Sequence, residues 1–322
     1  MAHWPPGGSS RRLSPVPTSP VTLVFVAWNA RAHLVHALAA ATATGYPIVV
    51  VDNASADGTA EYVRLRAPQA RLVAADRNLG FAGGVNAGVR EADTPWVLVL
   101  NPDIIVTPEA LALLVAEGQS DEVIGAVGAQ LIGADGAPQP EYSVRRFPTI
   151  GTWAADLLLV DHVWPSNPAS RRYLATDVDR TSTQDVEQPA AACLLVRRSA
   201  FEAVSGFDAG FHPAWFEDVD FCRRLRQAGW RIRYKAEARV VHEGGVAMRA
   251  LGLGSFSTIW YRNLLRYARK HEGVVARALL RPLIVVGMLL RAATSVARGR
   301  PADARAYLRV IGVAIGRHPA PA

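Results

Sequence analysis

The sequence has 322 residues, half of them hydrophobic and a fifth charged, with two cysteines and a formal net charge of +7. That length exceeds one small module, and the composition excludes a disordered or collagen-like chain. Two cysteines exclude a disulfide scaffold or a Cys-rich zinc module and point to a reducing compartment.

Residues 1–20 hold five prolines with Gly and Ser and no apolar period, which predicts a flexible leader without the apolar core of a signal peptide. From residue 21 short apolar runs alternate with helical stretches. VTLVFVAW (21–28) predicts a buried strand, 31–44 an Ala/Leu-rich helix, and YPIVVVD (46–52) a second strand. A helix at 58–67, a strand near 71–74 and a Gly-punctuated turn into a helix at 82–92 follow. WVLVLN (96–101) is another buried strand and 108–118 another helix. Later come a strand AACLLVRR (191–198), a helix from Ser199, a helix at 219–228 and a strand at 232–241. Residues 256–318 read as helices with no strand signal. Continuous Val/Ile/Leu runs between helices indicate a parallel sheet covered on both faces. No apolar run reaches the roughly 18–20 residues of a membrane-spanning helix.

In an open parallel sheet, ligands bind beyond the carboxyl ends of the strands. The residues there are Trp28-Asn29, Asp52-Asn53 and Asn101-Pro102-Asp103, which predicts one polar crevice. In VVVDNASADGT, Asp52 is placed to hydrogen-bond a base or ribose, while Asn53 and Ser55 could instead cap the next helix. WNARAHL stands where a dinucleotide site would need GxGxxG, so a nicotinamide site is not expected. RNLGFAGGVNAG (77–88) allows close backbone approach at a helix start, which favours a diphosphate. Its plainer reading is a glycine turn with close helix–sheet packing.

LNPDI puts Asp103 at a strand end, where one carboxylate suits a hard cation that also holds phosphates; an Asn-Pro-Asp turn is the alternative. WFEDVDFCRRLRQAGW (215–230) sets three acids before a helix, which either cap it or join Trp215 and Phe216 as a sugar platform with a general base. His242 closes a strand and gains meaning if it meets Asp103, since His joins carboxylates in metal sites.

Together these segments resemble the inverting family 2 glycosyltransferases, within them the bacterial rhamnosyltransferase branch. The resemblance runs from about residue 21 to 267 and keeps the motif order: VDNASADGT, NLGFAGGVN, LNPD, CLLVRRSAFEAVSGFD, EDVDFCRRLRQAGW and YRNLLRY. It implies the α/β nucleotide-diphospho-sugar transferase fold called GT-A, with a Rossmann-like, mostly parallel sheet over 21–248 and a helical extension over 249–322. It implies a nucleotide-diphospho-sugar donor held by Trp28, Asn29, Asp52, Asn53, Arg77, Asn78, Gly80, Asn86, Asn101 and Asp103. Asp218 would be the general base, Trp215 and Glu217 would meet the acceptor, and Asp103 with His242 would hold Mg²⁺ or Mn²⁺. Asn101 departs from the first Asp of the family's DxD motif and removes one negative charge at the metal. The implied reaction moves a sugar, L-rhamnose from dTDP-L-rhamnose in first place, to a polyprenyl-diphosphate-linked saccharide for the cell envelope. UDP-GlcNAc, UDP-hexose or UDP-galactofuranose transfer is the alternative, as is a nucleotide-sugar-binding protein without catalysis.

The charge is unevenly placed. Residues from 249 onward hold 13 basic and two acidic side chains, a net of +11; residues 1–248 hold 22 and 26, a net of −4. Arg277, Arg281, Arg291 and Arg298 fall within about 100° of an ideal helix, beside the apolar LIVVGMLL (283–290). Such a helix is expected on an anionic membrane surface, which makes the chain a cytoplasmic, peripheral protein of the inner membrane face. Helices packed on the catalytic domain, or in a homo-oligomer, are the alternative. The tail lacks Lys and interleaved aromatics, so nucleic acid is not an expected partner.

Overall fold

The computed structural model describes residues 19–244 and 251–316. All but the last two residues of the leader, and the expected boundary at 248, lie outside them. In chain order the first half comprises β1 (Val21–Ala27), α1 (Arg31–Ala43), β2 (Ile48–Asp52), α2 (Thr59–Arg66), β3 (Arg71–Ala74), α3 (Gly80–Arg90), β4 (Trp96–Leu100), β5 (Ile104–Ile105), α4 (Pro108–Gln119) and β6 (Ile124–Ile132). Then come α5 (Pro140–Ser143), β7 (Val144–Arg145), α6 (Ile150–Leu157), α7 (Val160–Val163), α8 (Pro168–Tyr173), β8 (Gln184–Asp185), β9 (Gln188–Pro189) and β10 (Cys193–Arg197). The chain continues through α9 (Arg198–Ala203), α10 (Glu217–Gln227), β11 (Arg231–His242), α11 (Leu253–His271), α12 (Val274–Ala297) and α13 (Pro301–Ala314).

Among the described residues nine strands form one sheet, in the order β3-β2-β1-β4-β10-β6-β11-β5 with β8 beside β11. The four strands β3, β2, β1 and β4 are parallel, as their doubly buried runs predict. Along β1, Leu23, Phe25 and Ala27 enter one core layer and Val24 and Val26 the other, so both faces are covered. β10 departs from the expectation: it runs antiparallel to both β4 and β6. A doubly buried strand reads the same in either direction, so its polarity is set by the crossover and not by its pattern. β6, IGAVGAQLI, has no counterpart among the expected strands. Its Gly125 and Gly128 pass directly under Trp230 and Pro189, where any side chain would collide.

The three C-terminal helices share a third core with the sheet-bearing part. Tyr267, Leu280, Ile284, Met288, Val310 and Ala314 pack with Trp153, Leu157, Phe211 and Phe216. α12 continues through Pro282 as one helix of 24 residues. Its Gly287 rests on the Leu157 carbonyl, where an added Cβ would lie 2.7 Å from the oxygen. The basic sector expected to face outward is partly turned inward. Arg281 donates to the Ala314 carbonyl at 2.5 Å, and Arg291 donates to the Leu157 carbonyl at 2.8 Å and to the Asp156 carboxylate at 3.0 Å. Among the described residues no helix is long and apolar enough to cross a membrane.

Candidate active site at the strand ends

Because β2, β1 and β4 are adjacent and parallel, the three polar strand ends do meet along one edge. Asp52 and Asn53 are buried there, while Trp28 and Asn29 are exposed. Asn29, at a positive φ of 48°, accepts from the Ala56 amide at 2.8 Å and donates its own amide to Ser55 at 2.9 Å. Asn53 donates to the Gly80 carbonyl at 3.1 Å. Neither Asn53 nor Ser55 therefore caps α2, whose N-cap is Gly58, with no side-chain cap bond. Asp52 Oδ1 and Asn53 Oδ1, at this strand end, are buried with no hydrogen-bond partner.

The glycine-rich segment divides between packing and turning. Gly84 and Gly88 let α3 rest on Val26 and Val24, the plainer reading of this motif. Gly80 has φ +72° and an added Cβ would lie 2.8 Å from the Pro213 carbonyl, so only glycine fits. Asn78 Oδ1 accepts from the Gly80 amide at 2.7 Å, and the Phe81 amide donates to Pro213 at 2.7 Å. Two amides that a diphosphate would be expected to use are thus already bonded within the chain. Asn86 clamps the Phe207 backbone with both ends of its amide, at 2.7 and 2.9 Å, a structural role. Arg77 is exposed and has no hydrogen-bond or ion-pair partner among the described residues.

Asp103 and His242 do meet, through pairing that no motif announces. The two-residue strand β5 runs antiparallel to β11 and sets Ile104 opposite His242. Asp103 Oδ2 then lies 3.7 Å from His242 Nε2, both side chains nearly buried. Gln139 Nε2 donates to the His242 carbonyl at 3.0 Å, which leaves Gln139 Oε1 facing His242 Nδ1 at 2.9 Å. A neutral ring must then carry its proton on Nδ1 and present the Nε2 lone pair to Asp103. In that neutral form two acceptors face each other, and with Asp103 Oδ1 buried and unbonded the arrangement fits a divalent cation. Among the described residues no third His, Cys, Asp or Glu completes the set. That suits Mg²⁺-type ions, which take the rest of their shell from phosphates and water.

α10 begins two residues earlier than its pattern suggests, so Glu217 and Asp218 form its first turn. Asp218 is partly exposed; the Val219 amide donates to its Oδ1 at 2.8 Å and Gln188 Nε2 to its Oδ2 at 3.1 Å. Burial pushes its carboxyl above the usual range, against the opposing pull of those donors and of Arg145. Glu217 is buried, with Oε2 unbonded; desolvation and then the Asp218 charge push it well above the usual range. The third acid, Asp220, points into the core, where it meets Arg224 at 2.8 Å, Lys270 at 2.7 Å and His271 at 2.6 Å. Burial pushes its carboxyl up, but His271, Arg224 and Lys270 outweigh that and hold it low. Gln188 and the metal turn belong to one short segment, since the Asn101 amide donates to the Ala192 carbonyl.

The loop before α10 is held in an unusual shape. Trp215 and Phe216 both have positive φ, 75° and 72°, a conformation that costs a non-glycine residue energy unless its surroundings impose it. Asn263 on α11 donates to the Ala214 and Trp215 carbonyls at 2.8 and 3.2 Å, and Arg262 donates to that of His212. Trp215 packs edge-on against Phe256, with ring centroids 4.9 Å apart. Phe216, expected beside it as a sugar platform, is buried against Trp260 and Tyr267. Gln188, Gln139, Arg145 and Asn263 carry no sequence signal beyond the membership of Asn263 in YRNLLRY.

Comparison with known proteins bears on the family and the fold. Residues 22–204 match the family model described as glycosyl transferase family 2. The chain is 32% identical over 239 residues to the N-acetylglucosaminyl-diphospho-decaprenol L-rhamnosyltransferase of Mycobacterium tuberculosis, covering 70% of this chain and 76% of that protein. It is also 32% identical over 154 residues to rhamnosyltransferase WbbL of Escherichia coli K12, covering 48% of this chain and 54% of that one. Among solved structures it resembles GalNAc-T7 with UDP, GalNAc and Mn²⁺ (TM-score 0.55, 16% identity, 79% of this chain and 48% of that chain). A second is the mannosyltransferase PcManGT of Pyrobaculum calidifontis with GDP-Man and Mn²⁺ (TM-score 0.52, 18% identity, 95% and 89%). At those identities the likeness shows the fold, the GT-A fold expected from the sequence.

Proposed function

The chain belongs to glycosyl transferase family 2, and from that membership we propose that it moves L-rhamnose from dTDP-L-rhamnose to a hydroxyl of a polyprenyl-diphosphate-linked saccharide. The sugar and acceptor rest on the mycobacterial relative. A lipid-linked acceptor in turn puts the enzyme on the cytoplasmic membrane face, as a peripheral protein in cell-envelope polysaccharide synthesis.

Asp218 takes the proton of the acceptor hydroxyl as its oxygen attacks the anomeric carbon. The nucleoside diphosphate leaves from the opposite face, so a single displacement inverts the configuration. Gln188 and the Val219 amide hold the carboxylate in one orientation. Its raised pKa makes it a stronger base than an ordinary aspartate. Asp52 and Asn53, with Trp28 and Asn29 at the rim, bind the base and ribose. Arg77, Asn78 and Gly80 line the diphosphate side with Asn101, and Asn86 supports them through Phe207. Trp215 and Glu217 border the acceptor, and a Glu217 kept protonated by burial can donate a hydrogen bond to a sugar oxygen. Asp103 and His242 Nε2 would hold Mg²⁺ or Mn²⁺, which when bound neutralises charge on the leaving diphosphate.

One observation carries the catalytic reading: a partly exposed carboxylate, raised by burial and oriented by two donors, at the first turn of α10. The test is transfer by the purified chain to a short-chain polyprenyl-diphosphate-GlcNAc, with product and anomeric configuration read by mass spectrometry and NMR. A higher kcat/KM with UDP-GlcNAc, a UDP-hexose or UDP-galactofuranose would displace rhamnose. Tight donor binding without transfer from any donor would favour a binding protein.

A further inference from the structure

Helix α12 is apolar on both sides. One side enters the third core through Leu280, Ile284 and Met288. On the other, Val275, Leu279, Val286, Leu289, Leu290 and Val296 are exposed, Val275 by 73% and Val296 by 63%. At 100° per residue these six fall within about 120°, and the row runs about 32 Å along the helix. Pro282 and Ala293, also exposed, fill its gaps, and no charged residue lies in that sector. Single exposed aliphatics need no explanation, but a continuous row marks a surface that something covers.

The charge around the row's end indicates what covers it. Arg298 and Arg300 stand in the three-residue turn to α13, and Arg305 and Arg309 line a surface groove with Leu308 on α13. All four are exposed, and none of their guanidinium groups has a hydrogen-bond or ion-pair partner among the described residues. A second copy that met this face with its own C-terminal helices would offer few carboxylates. Glu272 is engaged by Arg223, and Asp303 is the only other acid after residue 249. Phosphate headgroups over an acyl layer match both features at once.

We propose that the outward face of α12 lies in the acyl boundary of an anionic membrane, with Arg298, Arg300, Arg305 and Arg309 on the lipid phosphates. This rests on the reading of a lipid-linked acceptor but assigns a different surface from the inward-turned Arg281 and Arg291. It is the geometry of an interfacial helix, apolar face down and cations at the headgroup level.

The test is flotation of the full chain with phosphatidylcholine vesicles, with and without phosphatidylglycerol. It is paired with transfer to a water-soluble acceptor and with sedimentation analysis. Leu279→Glu with Leu289→Glu should lower vesicle partitioning roughly tenfold or more, since buried aliphatic surface is replaced by charge, and leave transfer to the soluble acceptor intact. Arg298→Glu with Arg300→Glu should remove the preference for anionic vesicles. Leu65→Glu, at an exposed leucine of α2, should float like the parent. Unchanged flotation of the leucine variant overturns the proposal. So does a parent dimer that this variant dissociates without altering flotation, which would make a second copy the occupant. Intact flotation without transfer from any donor would sink the rhamnosyl reading and support this one.

Discussion

Gln188 Nε2 donates to Asp218 Oδ2 at 3.1 Å from a strand that pairs, residue for residue, with Arg145. The small β7–β9 sheet thus brings one neutral donor and one cation towards the same carboxylate. Both stabilise its charged form, against the desolvation that opposes it.

Asp218→Asn should keep donor binding and lose transfer by roughly 10²–10⁴-fold, the usual scale of general-base catalysis. Near-parental turnover would remove Asp218 from that role. The base must be ionised, so the acid limb of kcat/KM should lie above the value of about 3.9 for a free aspartate. Gln188→Leu removes a donor to the carboxylate and should move that limb to higher pH. A limb that stays in place would confine Gln188 to packing.

Glu217 is predicted to cost stability at neutral pH. An acid with a raised folded-state pKa retains its proton in the native state after the unfolded chain has lost its own. Stability therefore falls as pH rises from the unfolded pKa towards the folded one. Glu217→Gln should raise Tm at pH 7, by about 2–4 °C per kcal/mol recovered, and the gain should vanish near pH 4. Calorimetry at the two pH values decides. An equal gain at both would assign the effect to packing.

Asp220 behaves in the opposite sense. Its folded-state pKa is lowered, so its contribution is present above the unfolded pKa and is lost as pH falls through the folded one. Asp220→Ala leaves Arg224, Lys270 and His271 without their shared carboxylate and should cost about 3–5 kcal/mol in urea unfolding. A loss under 1 kcal/mol would show that the surrounding cations rearrange freely.

Mn²⁺ binding in the presence of dTDP, measured by calorimetry, tests the pair of acceptors. Asp103→Ala should abolish the mutual strengthening of nucleotide and metal binding. Gln139→Leu frees the His242 ring and should weaken the metal roughly 10–100-fold, as losing an orienting partner does. If Asp103→Ala still couples the two ligands, the cation sits elsewhere.

Much of this architecture was legible before the fold was known. β1, β2 and β4 are unbroken aliphatic runs, and the polar residue closing each run marked the crevice. What escaped has physical reasons. β6 is diluted by Gly125 and Gly128, whose smallness is dictated by Trp230 and Pro189 from distant segments. Gln188 and Asn263 are lone amides, and only the folded chain shows which oxygen each addresses. The partnership of His242 with Asp103 depends on a strand of two residues, too short to leave a pattern. On α12 the angular spacing of the arginines was correct and Arg277 and Arg298 are exposed as expected, but Arg281 and Arg291 turn to carbonyls of the chain. A wheel with apolar residues on both sides leaves rotation open, and the carbonyls of Leu157 and Ala314 decide it.

The seat of Gly287 on the Leu157 carbonyl bears on how such enzymes can be recombined. Residues 22–204, the stretch shared with the family model, end before Asp218 and before the C-terminal helices of the third core. A chimera joined at the apparent boundary near 248 would set a foreign helix against α6, and any such helix without a glycine opposite the Leu157 carbonyl would collide with it. Specificity swaps between related transferases should therefore move α6 and α12 together, as one inherited piece split by 116 residues of intervening chain.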